Sequence, residues 1–172
     1  LETGLRHSDV TVGHCPQSMD LSTVGGSLAC RGAGQYSTRS GPIAAMEVGL
    51  EVALADGRVI RTGGTGPRAA TGPDLTQMFV GSEGVLGVIT GALLRLHRLA
   101  PAEQRRAYGF ASFADGLDAC RRILQRGATP AVLRLYDHTE SARNFDVAVH
   151  CVLSVLDEAD PARLDATIDV VD

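Results

Sequence analysis

Apolar and polar residues alternate most regularly over residues 46–54, whereas residues 1–45 hold few periodic apolar positions and many small ones, which predicts loops. Apolar side chains occupy every second position of this segment, which is the period of a strand with one buried face. Asp56 and Gly57 suit a tight turn with positive φ angles, and residues 58–62 supply a returning strand. The pattern therefore predicts a β-hairpin.

A short helix and a further strand are predicted next. Residues 63–73 contain one Gly-Gly and two Gly-Pro pairs, which are typical of a loop. Asp74 can cap a helix that ends at Gly81, and the apolar run over residues 85–97 predicts a strand. The helix is expected to bury Leu75, Met78 and Phe79. One face of the strand carries Val88, Thr90, Ala92, Leu94 and Leu96.

Beyond a linker at Pro101 the pattern indicates a separate layer of strands and helices. Residues 107–111 and 131–136 are predicted strands, and the helix between them ends at Gly127. The apolar residues at helical spacing are Phe113, Leu117, Cys120 and Leu124. A further strand is predicted over residues 147–156, and we place the domain boundary at the linker.

Both ends of the chain indicate that the sequence is part of a longer protein. It begins with Leu1 rather than Met, and it stops at Asp172 within a predicted helix. That helix has Asp160 as its N-cap and Pro161 at its first position. Its apolar face carries Leu164, Ile168 and Val171. Because no Gly, Asn or Pro stop signal follows, we interpret both ends as cuts.

Composition argues against several classes of protein. The 172 residues carry a net charge of −4 with acidic and basic residues interspersed, which disfavours binding to nucleic acid. No apolar stretch approaches the roughly 20 residues that cross a bilayer. The four cysteines are scattered, without a histidine at metal-ligand spacing, which favours reduced thiols and no metal site. Reduced thiols and the lack of a visible targeting peptide predict a cytoplasmic location.

Two segments rich in Gly, Ser and Thr are candidates for ligand binding, residues 17–26 and 81–90. Neither contains the Gly-Lys-Ser/Thr of a Walker loop or the strand-GxGxxG-helix context of a Rossmann fold. Backbone with few side chains can bring N–H groups and hydroxyls close to a flat polar ligand. The same composition suits an ordinary tight turn, so the residues alone leave both interpretations open.

Three motifs carry a resemblance to a known family: PQSMDLSTVGG at residues 16–26, TGPD at 71–74 and GSEGVLGVIT at 81–90. They resemble motifs of the FAD-linked oxidase superfamily typified by vanillyl-alcohol oxidase. In combination they are most similar to those of the alkylglycerone-phosphate synthases, also called alkyldihydroxyacetonephosphate synthases. The segment PAVLRL at residues 130–135 is similar to a further synthase motif.

The resemblance implies an α+β fold in two parts. Residues 1–100 would form the second half of a vanillyl-alcohol-oxidase-type FAD-binding domain, and residues 101–172 the start of an α+β substrate (cap) domain. FAD would be bound non-covalently, because neither His14 nor Cys15 matches a position of covalent attachment. The resemblance also implies a small-molecule or lipid-like substrate, and it is compatible with a homodimer of the full-length protein.

The resemblance implies that the stretches around residues 17–34 and 81–90 fold toward each other as one wall of the flavin pocket, and it assigns individual site residues as well. Arg134 matches an arginine that family members need near the flavin and the substrate, where a guanidinium suits a phosphate or the electron-rich flavin. The residues that match flavin contacts are Gln17, Ser18, Met19, Asp20, Leu21, Ser22, Thr23, Gly25, Gly26, Cys30, Arg31, Gly32, Ala33, Glu83, Gly84, Val85, Leu86, Gly87, Val88 and Ile89. Without the resemblance, Arg134 also suits a surface or ion-paired role, and Glu83 a brace within its turn.

Three functional hypotheses follow. The leading one is synthase activity, the exchange of the acyl chain of acyl-dihydroxyacetone phosphate for a fatty alcohol in ether-lipid synthesis. The second is an FAD-dependent 2-hydroxyacid dehydrogenase or oxidase acting on D-lactate or glycolate, because the motif at residues 81–90 is shared across the superfamily. The third is a non-catalytic fragment that folds in part but cannot hold FAD, because the family's diphosphate-binding loop precedes the matched region. The family's active-site tyrosine and histidines lie beyond that region.

Overall fold

The computed structural model describes residues 1–64, 66, 72–147 and 150–172. Within it the chain forms two compact units, Leu1–Leu99 and Ala100–Asp172. Helices and strands are mixed in both units, and the predicted α+β fold class is confirmed. Thr71 of the TGPD motif and most of the loop before it lie outside the described residues.

The first unit is built around an antiparallel sheet. Its elements in chain order are α1 (Glu2–Arg6), β1 (Val10–Thr11), α2 (Val24–Ala29), α3 (Ser37–Ser40), α4 (Ile43–Met46), β2 (Glu47–Ala53), β3 (Val59–Gly63), α5 (Leu75–Phe79), β4 (Val88–Leu94) and β5 (His97–Arg98). The main sheet has three strands in the order β3-β2-β4, and β1 pairs separately with β5. The predicted hairpin is confirmed as β2 and β3, with Leu50 opposite Thr62.

Short helices pack on this sheet and close its core. The buried core residues are Leu28, Ile43, Leu50, Val52, Phe79 and Val80. They come from α2, α4, β2 and the end of α5, so the segment before residue 46 contributes helices where the sequence predicted loop. These helices are four to six residues long, too short to show an apolar period in the sequence.

The helix after Asp74 forms as predicted, but its buried face is different. The Asp74 carboxylate accepts a hydrogen bond from the Gln77 amide at 3.2 Å, which confirms the cap. The prediction that Leu75 and Met78 face inward is wrong, because they are 51% and 55% exposed. Thr76 and Phe79 are buried instead, because a helix of five residues presents only one narrow i, i+3 face to the core.

The strand after the GSEG turn is shorter than predicted, and residues of both its predicted faces pack on the core. It begins at Val88 because the preceding residues belong to the turn. Val52 pairs with Ile89 while Glu51 pairs with Gly91, so one residue of β4 is left over as an irregularity in the register. Such a bulge changes the alternation of side chains. The core side of β4 therefore carries Ile89, from outside the predicted set, together with Leu94, which belongs to that set.

The second unit is a three-stranded antiparallel sheet with helices. Its elements are β6 (Ala102–Phe110), α6 (Phe113–Gln125), β7 (Val132–Tyr136), α7 (His138–Phe145), β8 (Cys151–Ala159) and α8 (Pro161–Val171). The strand order is β6-β8-β7, and the core is formed by Ile123, Ala128, Leu153 and Val155. The predicted strand, helix and strand are confirmed as β6, α6 and β7.

Two features of the second unit differ from the prediction. α6 buries Gly116 and Ile123, whereas Phe113, Leu117 and Leu124 are 45%, 57% and 49% exposed. The last strand begins at residue 151 rather than 147, and residues 148–149 lie outside the described part of the chain.

Helix α7 was missed because its sequence, HTESARNF, lacks an apolar period. Asp137 caps it, and its carboxylate accepts a hydrogen bond from the Glu140 amide at 2.7 Å. An acceptor followed three residues later by Glu is a recognised start signal, so the sequence did contain a cue. The final helix begins with Pro161 as predicted, but the Asp160 side chain makes no capping hydrogen bond.

Candidate functional site

The first glycine-rich segment folds as consecutive turns that lead into α2. The Ser22 amide donates to the Ser18 carbonyl at 2.8 Å, and the Ser22 hydroxyl donates to the Ser18 hydroxyl at 2.7 Å. Thr23 is the N-cap of α2, and its hydroxyl oxygen accepts a hydrogen bond from the Gly26 amide at 3.0 Å. These bonds concentrate small hydroxyl side chains where the helix begins.

The second glycine-rich segment packs directly against the first. The Gly81 amide donates to the Leu28 carbonyl at 3.0 Å, and the Glu83 amide donates to the Ala29 carbonyl at 3.0 Å. A Cβ atom added to Gly25 would lie 3.0 Å from the carbonyl oxygen of Ile89, so α2 and β4 approach each other backbone to backbone. The prediction that the two segments lie together is confirmed.

Arg31 braces this junction from the end of α2. Its backbone φ of 52° is in the left-handed region, which a non-glycine residue adopts at some cost. Its guanidinium donates to Gln77 Oε1 at 3.3 Å, and Gln77 Nε2 donates to Glu47 Oε2 at 2.5 Å. Burial, with the nearby Asp74 carboxylate, raises the pKa of Glu47, while the Gln77 hydrogen bond opposes that shift. The chain of contacts ties α2 to α5 and β2.

A cavity of about 270 Å³ opens beside the start of α2. It is lined by Leu1, Glu2, Val12, His14, Pro16, Met19, Ser22, Thr23, Val24, Ser27, Ile43 and Leu94. Met19, Ser22 and Thr23 are among the site residues predicted from the sequence. The lining is mainly apolar with a few hydroxyls, which is the usual character of a small-molecule site.

The other predicted residues of unit one are not part of the cavity lining. They are Gln17, Ser18, Asp20, Leu21, Gly25, Gly26, Cys30, Arg31, Gly32, Ala33, Glu83, Gly84, Val85, Leu86, Gly87, Val88 and Ile89. Among them Leu21 and Val85 are the most open, at 91% and 85% exposure. Their contacts with a ligand stay predictions.

His14 and Glu2 are cavity residues that the sequence analysis did not select. Both ring nitrogens of His14 are buried and have no hydrogen-bond partner among the described residues. Burial lowers the pKa of His14, and the Glu2 carboxylate opposes this shift. Glu2 accepts hydrogen bonds from the Thr11 hydroxyl at 2.8 Å and the Val12 amide at 3.0 Å. A neutral imidazole therefore offers one donor and one acceptor to the cavity.

Arg134 lies in the second unit, on β7. Its Cζ atom is 4.5 Å from the ring centroid of Tyr136, which is a cation–π contact. Within the described residues its guanidinium makes no hydrogen bond or ion pair. The N–H groups of the half-buried Arg134 guanidinium are therefore available to bind an anion.

Neither a metal site nor a membrane span is found in the part of the chain that the structure describes. No group of three or more His, Cys, Asp or Glu side chains could hold a metal ion there. None of the helices described is long and apolar enough to cross a membrane.

Comparison with known proteins identifies the class of domain. Residues 1–63 match the family model of the FAD binding domain, so the chain carries part of such a domain and FAD is its cofactor. The predicted relationship to FAD-linked oxidases and alkyldihydroxyacetonephosphate synthases is confirmed.

Two curated relatives and one solved structure illustrate the match. An uncharacterised FAD-linked oxidoreductase of Escherichia coli O157:H7 is 38% identical over 171 residues, which is 97% of this chain and 35% of the relative. The alkyldihydroxyacetonephosphate synthase of Dictyostelium discoideum is 32% identical over 145 residues, which is 84% of this chain and 23% of the relative. A solved alkyldihydroxyacetonephosphate synthase structure is 26% identical with a TM-score of 0.84, covering 99% of this chain and 35% of the other. The chain spans about a third or less of the length of these proteins.

The cavity fits one portion of FAD. Its volume of about 270 Å³ is at the low end for ligand sites and suits a flat ring system rather than a whole dinucleotide. Buried polar atoms normally have partners, and the ring nitrogens of His14 lack one. The polar edge of an isoalloxazine would supply both a donor and an acceptor.

Substitution of His14 by phenylalanine is expected to move stability and cofactor affinity in opposite directions. The apolar ring removes two unsatisfied buried nitrogens, so the FAD-free protein should gain about 1 kcal/mol in free energy of unfolding. If His14 donates to or accepts from FAD, the same variant loses those hydrogen bonds, and the Kd of the complete protein for FAD should rise about tenfold. Thermal unfolding without FAD and quenching of flavin fluorescence measure the two effects. The control is His7→Phe, because His7 is exposed. A His14→Phe protein with lower stability and unchanged FAD affinity would contradict the role of His14 as a cofactor contact.

Proposed function

We propose that the chain is the FAD-contacting part of an enzyme resembling alkyldihydroxyacetonephosphate synthase. The observation that carries the proposal is the fold likeness to the synthase structure over 99% of the chain, which includes both units. In this proposal the first unit is the C-terminal part of the FAD-binding domain. The second unit is the N-terminal part of the substrate domain.

The residues around the cavity have separate roles toward the cofactor. Ser22, Thr23 and Ser27 offer hydroxyls, and His14 offers a donor and an acceptor. Contact of FAD with the backbone at residues 83–89 stays a prediction. Ile43 and Leu94 keep water from the apolar side of the cavity. When bound, FAD supplies an isoalloxazine able to accept and return electrons. Binding is non-covalent in this proposal.

Arg134 is proposed to bind the anionic group of the substrate. A guanidinium can grip a phosphate through two parallel hydrogen bonds, and no carboxylate of the described residues competes for it. The proposed reaction replaces the acyloxy group of acyl-dihydroxyacetone phosphate by the alkoxy group of a fatty alcohol. The carbon–oxygen bond to the acid breaks, the ether bond forms, and the alcohol proton balances the released acid, so no net oxidation occurs.

A second function, oxidation of a 2-hydroxyacid such as D-lactate or glycolate, rests on a separate observation. The Escherichia coli relative, which aligns with 97% of the chain at 38% identity, is described as an FAD-linked oxidoreductase. This chain is more similar in sequence to the oxidoreductase, at 38% identity, than to the synthase, at 32%. The difference favours redox chemistry as the alternative function. In that case Arg134 would bind a carboxylate instead of a phosphate.

Two assays on the complete FAD-loaded protein separate these functions. The synthase predicts an alkyl ether product from acyl-dihydroxyacetone phosphate and a fatty alcohol, with no change in flavin absorbance at the end of the reaction. The oxidoreductase predicts flavin bleaching on anaerobic addition of D-lactate or glycolate. Absence of the ether product would contradict the leading proposal, and absence of both signals would contradict the two together.

The 172-residue chain alone is proposed to be non-catalytic and unable to hold FAD, because it corresponds to only 35% of the Escherichia coli relative. Its flavin absorbance after purification and FAD addition tests this directly. Stoichiometric yellow protein would contradict it. A lipid-like substrate, a homodimer and a cytoplasmic location stay predictions.

A further inference from the structure

Arg134 is held against an aromatic ring from its own strand. Arg134 and Tyr136 are two residues apart on β7, so their side chains lie on the same face of the strand. The guanidinium carbon lies 4.5 Å from the centroid of the Tyr136 ring. Both residues are half-buried, which limits the water that could separate them.

The Tyr136 ring is itself part of a packed cluster. Phe145 at the end of α7 meets it at a centroid distance of 5.0 Å and an interplanar angle of 82°, an edge-to-face contact. Helix α7 is anchored to the sheet by Ser141, whose hydroxyl accepts a hydrogen bond from the Val152 amide at 3.0 Å. The Tyr136 ring is therefore held by packing against Phe145 and helix α7.

We infer that Tyr136 is a positioning residue, which holds the Arg134 guanidinium in place so that its N–H edge can bind the anionic group of the substrate. The inference rests on the proposed function, in which Arg134 contacts that group. It deepens the proposal by naming a residue that acts through Arg134 and does not touch the substrate.

The physical reason is that the two interactions use different parts of the guanidinium. The electron-rich face of an aromatic ring attracts a cation placed over it. Hydrogen bonds to an oxyanion use the N–H groups, which point outward in the guanidinium plane. Contact with Tyr136 can therefore restrict the long Arg134 side chain without occupying all of its donors. A pre-positioned arginine loses less freedom when the anion binds.

Four variants of the complete FAD-loaded protein test this inference through KM and kcat. The substrate is acyl-dihydroxyacetone phosphate or D-lactate, whichever the protein turns over, and the active one identifies the anion as phosphate or carboxylate. Tyr136→Leu is expected to raise KM about two- to fivefold with kcat nearly unchanged, because it removes the cation–π contact. Tyr136→Phe keeps the ring and should restore the original KM.

The control is Phe145→Leu, which removes the edge contact from the same cluster but leaves the Arg134 and Tyr136 pair. It should lower thermal stability as Tyr136→Leu does, with KM unchanged. If Tyr136→Leu leaves KM unchanged while Arg134→Met raises it, the positioning role is wrong and the proposed function stands. If Arg134→Met leaves KM unchanged, or neither substrate is turned over, the proposed function fails and the positioning role fails with it.

Discussion

Replacement of Gly34 by alanine is expected to disrupt the wall of the cavity and to weaken FAD binding by tenfold or more. An added Cβ atom would lie 2.4 Å from the carbonyl oxygen of Cys15 and 2.8 Å from the nitrogen of Pro16. Both are backbone atoms, which cannot rotate away as a side chain can. The loss in free energy of unfolding should be about 3 kcal/mol, at the high end for overpacking.

The Gly34 substitution should weaken FAD binding because the backbone that it displaces is continuous with residues that line the cavity. Cys15 and Pro16 follow His14 directly, and His14 and Pro16 both line the cavity. A shift there also breaks the hydrogen bond from the Gln35 amide to the Cys15 carbonyl, which is 3.3 Å long.

Thermal unfolding and FAD titration of the complete protein measure the two effects of the Gly34 substitution. Gly4→Ala is the matched control, since no atom lies within 4 Å of its Cβ position and the residue is helical in α1. Alanine is favoured in a helix, so this control should be neutral or slightly more stable. Equal stability of the two variants would contradict the close approach between Gly34 and residues 15–16.

Replacement of Arg134 by methionine is expected to reduce kcat/KM by about 10- to 100-fold in the complete protein. Methionine keeps much of the apolar stem but removes the charge and all five N–H donors. A hydrogen bond to a charged group contributes about 1.5–3 kcal/mol, which corresponds to this range. The free energy of unfolding should fall by no more than about 1 kcal/mol, because Arg134 loses its cation–π contact with Tyr136 but makes no ion pair with the described residues.

Two further variants make the Arg134 measurement specific. Arg134→Lys keeps a charge but cannot form two parallel hydrogen bonds, so it should recover only part of the activity. Arg105→Met on β6 removes an exposed arginine that pairs with Glu103 at 2.9 Å, and it should leave kcat/KM unchanged. An Arg134→Met protein with normal kcat/KM would exclude substrate binding by this residue.

The elements that could be predicted are those with a strong local sequence signal. The hairpin of β2 and β3 follows from strict alternation and an Asp-Gly turn, and α6 from its helical period and Gly127, which adopts a φ of 89°. Such signals are local, so no tertiary information is needed to interpret them.

Other elements depend on tertiary packing or lack an apolar period. The buried face of β4 depends on an irregular register with β2, which no single-strand pattern contains. The buried side of α6 follows small Gly116, which lets the helix approach Leu135, rather than the larger apolar residues.

Only part of the candidate site could be predicted, because some of its residues lie in recognisable motifs and others are defined by tertiary packing. Glycine-rich motifs indicated that residues 17–34 and 81–90 would meet, and the hydrogen bonds from Gly81 and Glu83 to α2 confirm it. His14 was not selected because a single histidine in a loop has no spacing signal. Its importance comes from burial in the cavity without a partner, which only the three-dimensional structure shows.

We propose that the cavity beside the start of α2 receives the isoalloxazine of FAD. A crystal structure of the complete protein with bound FAD is the test of this proposal. We expect the ring system to lie against Thr23 and Ser27, with a hydrogen bond between its polar edge and the imidazole of His14. An isoalloxazine bound elsewhere, with water filling the space beside His14, would contradict it.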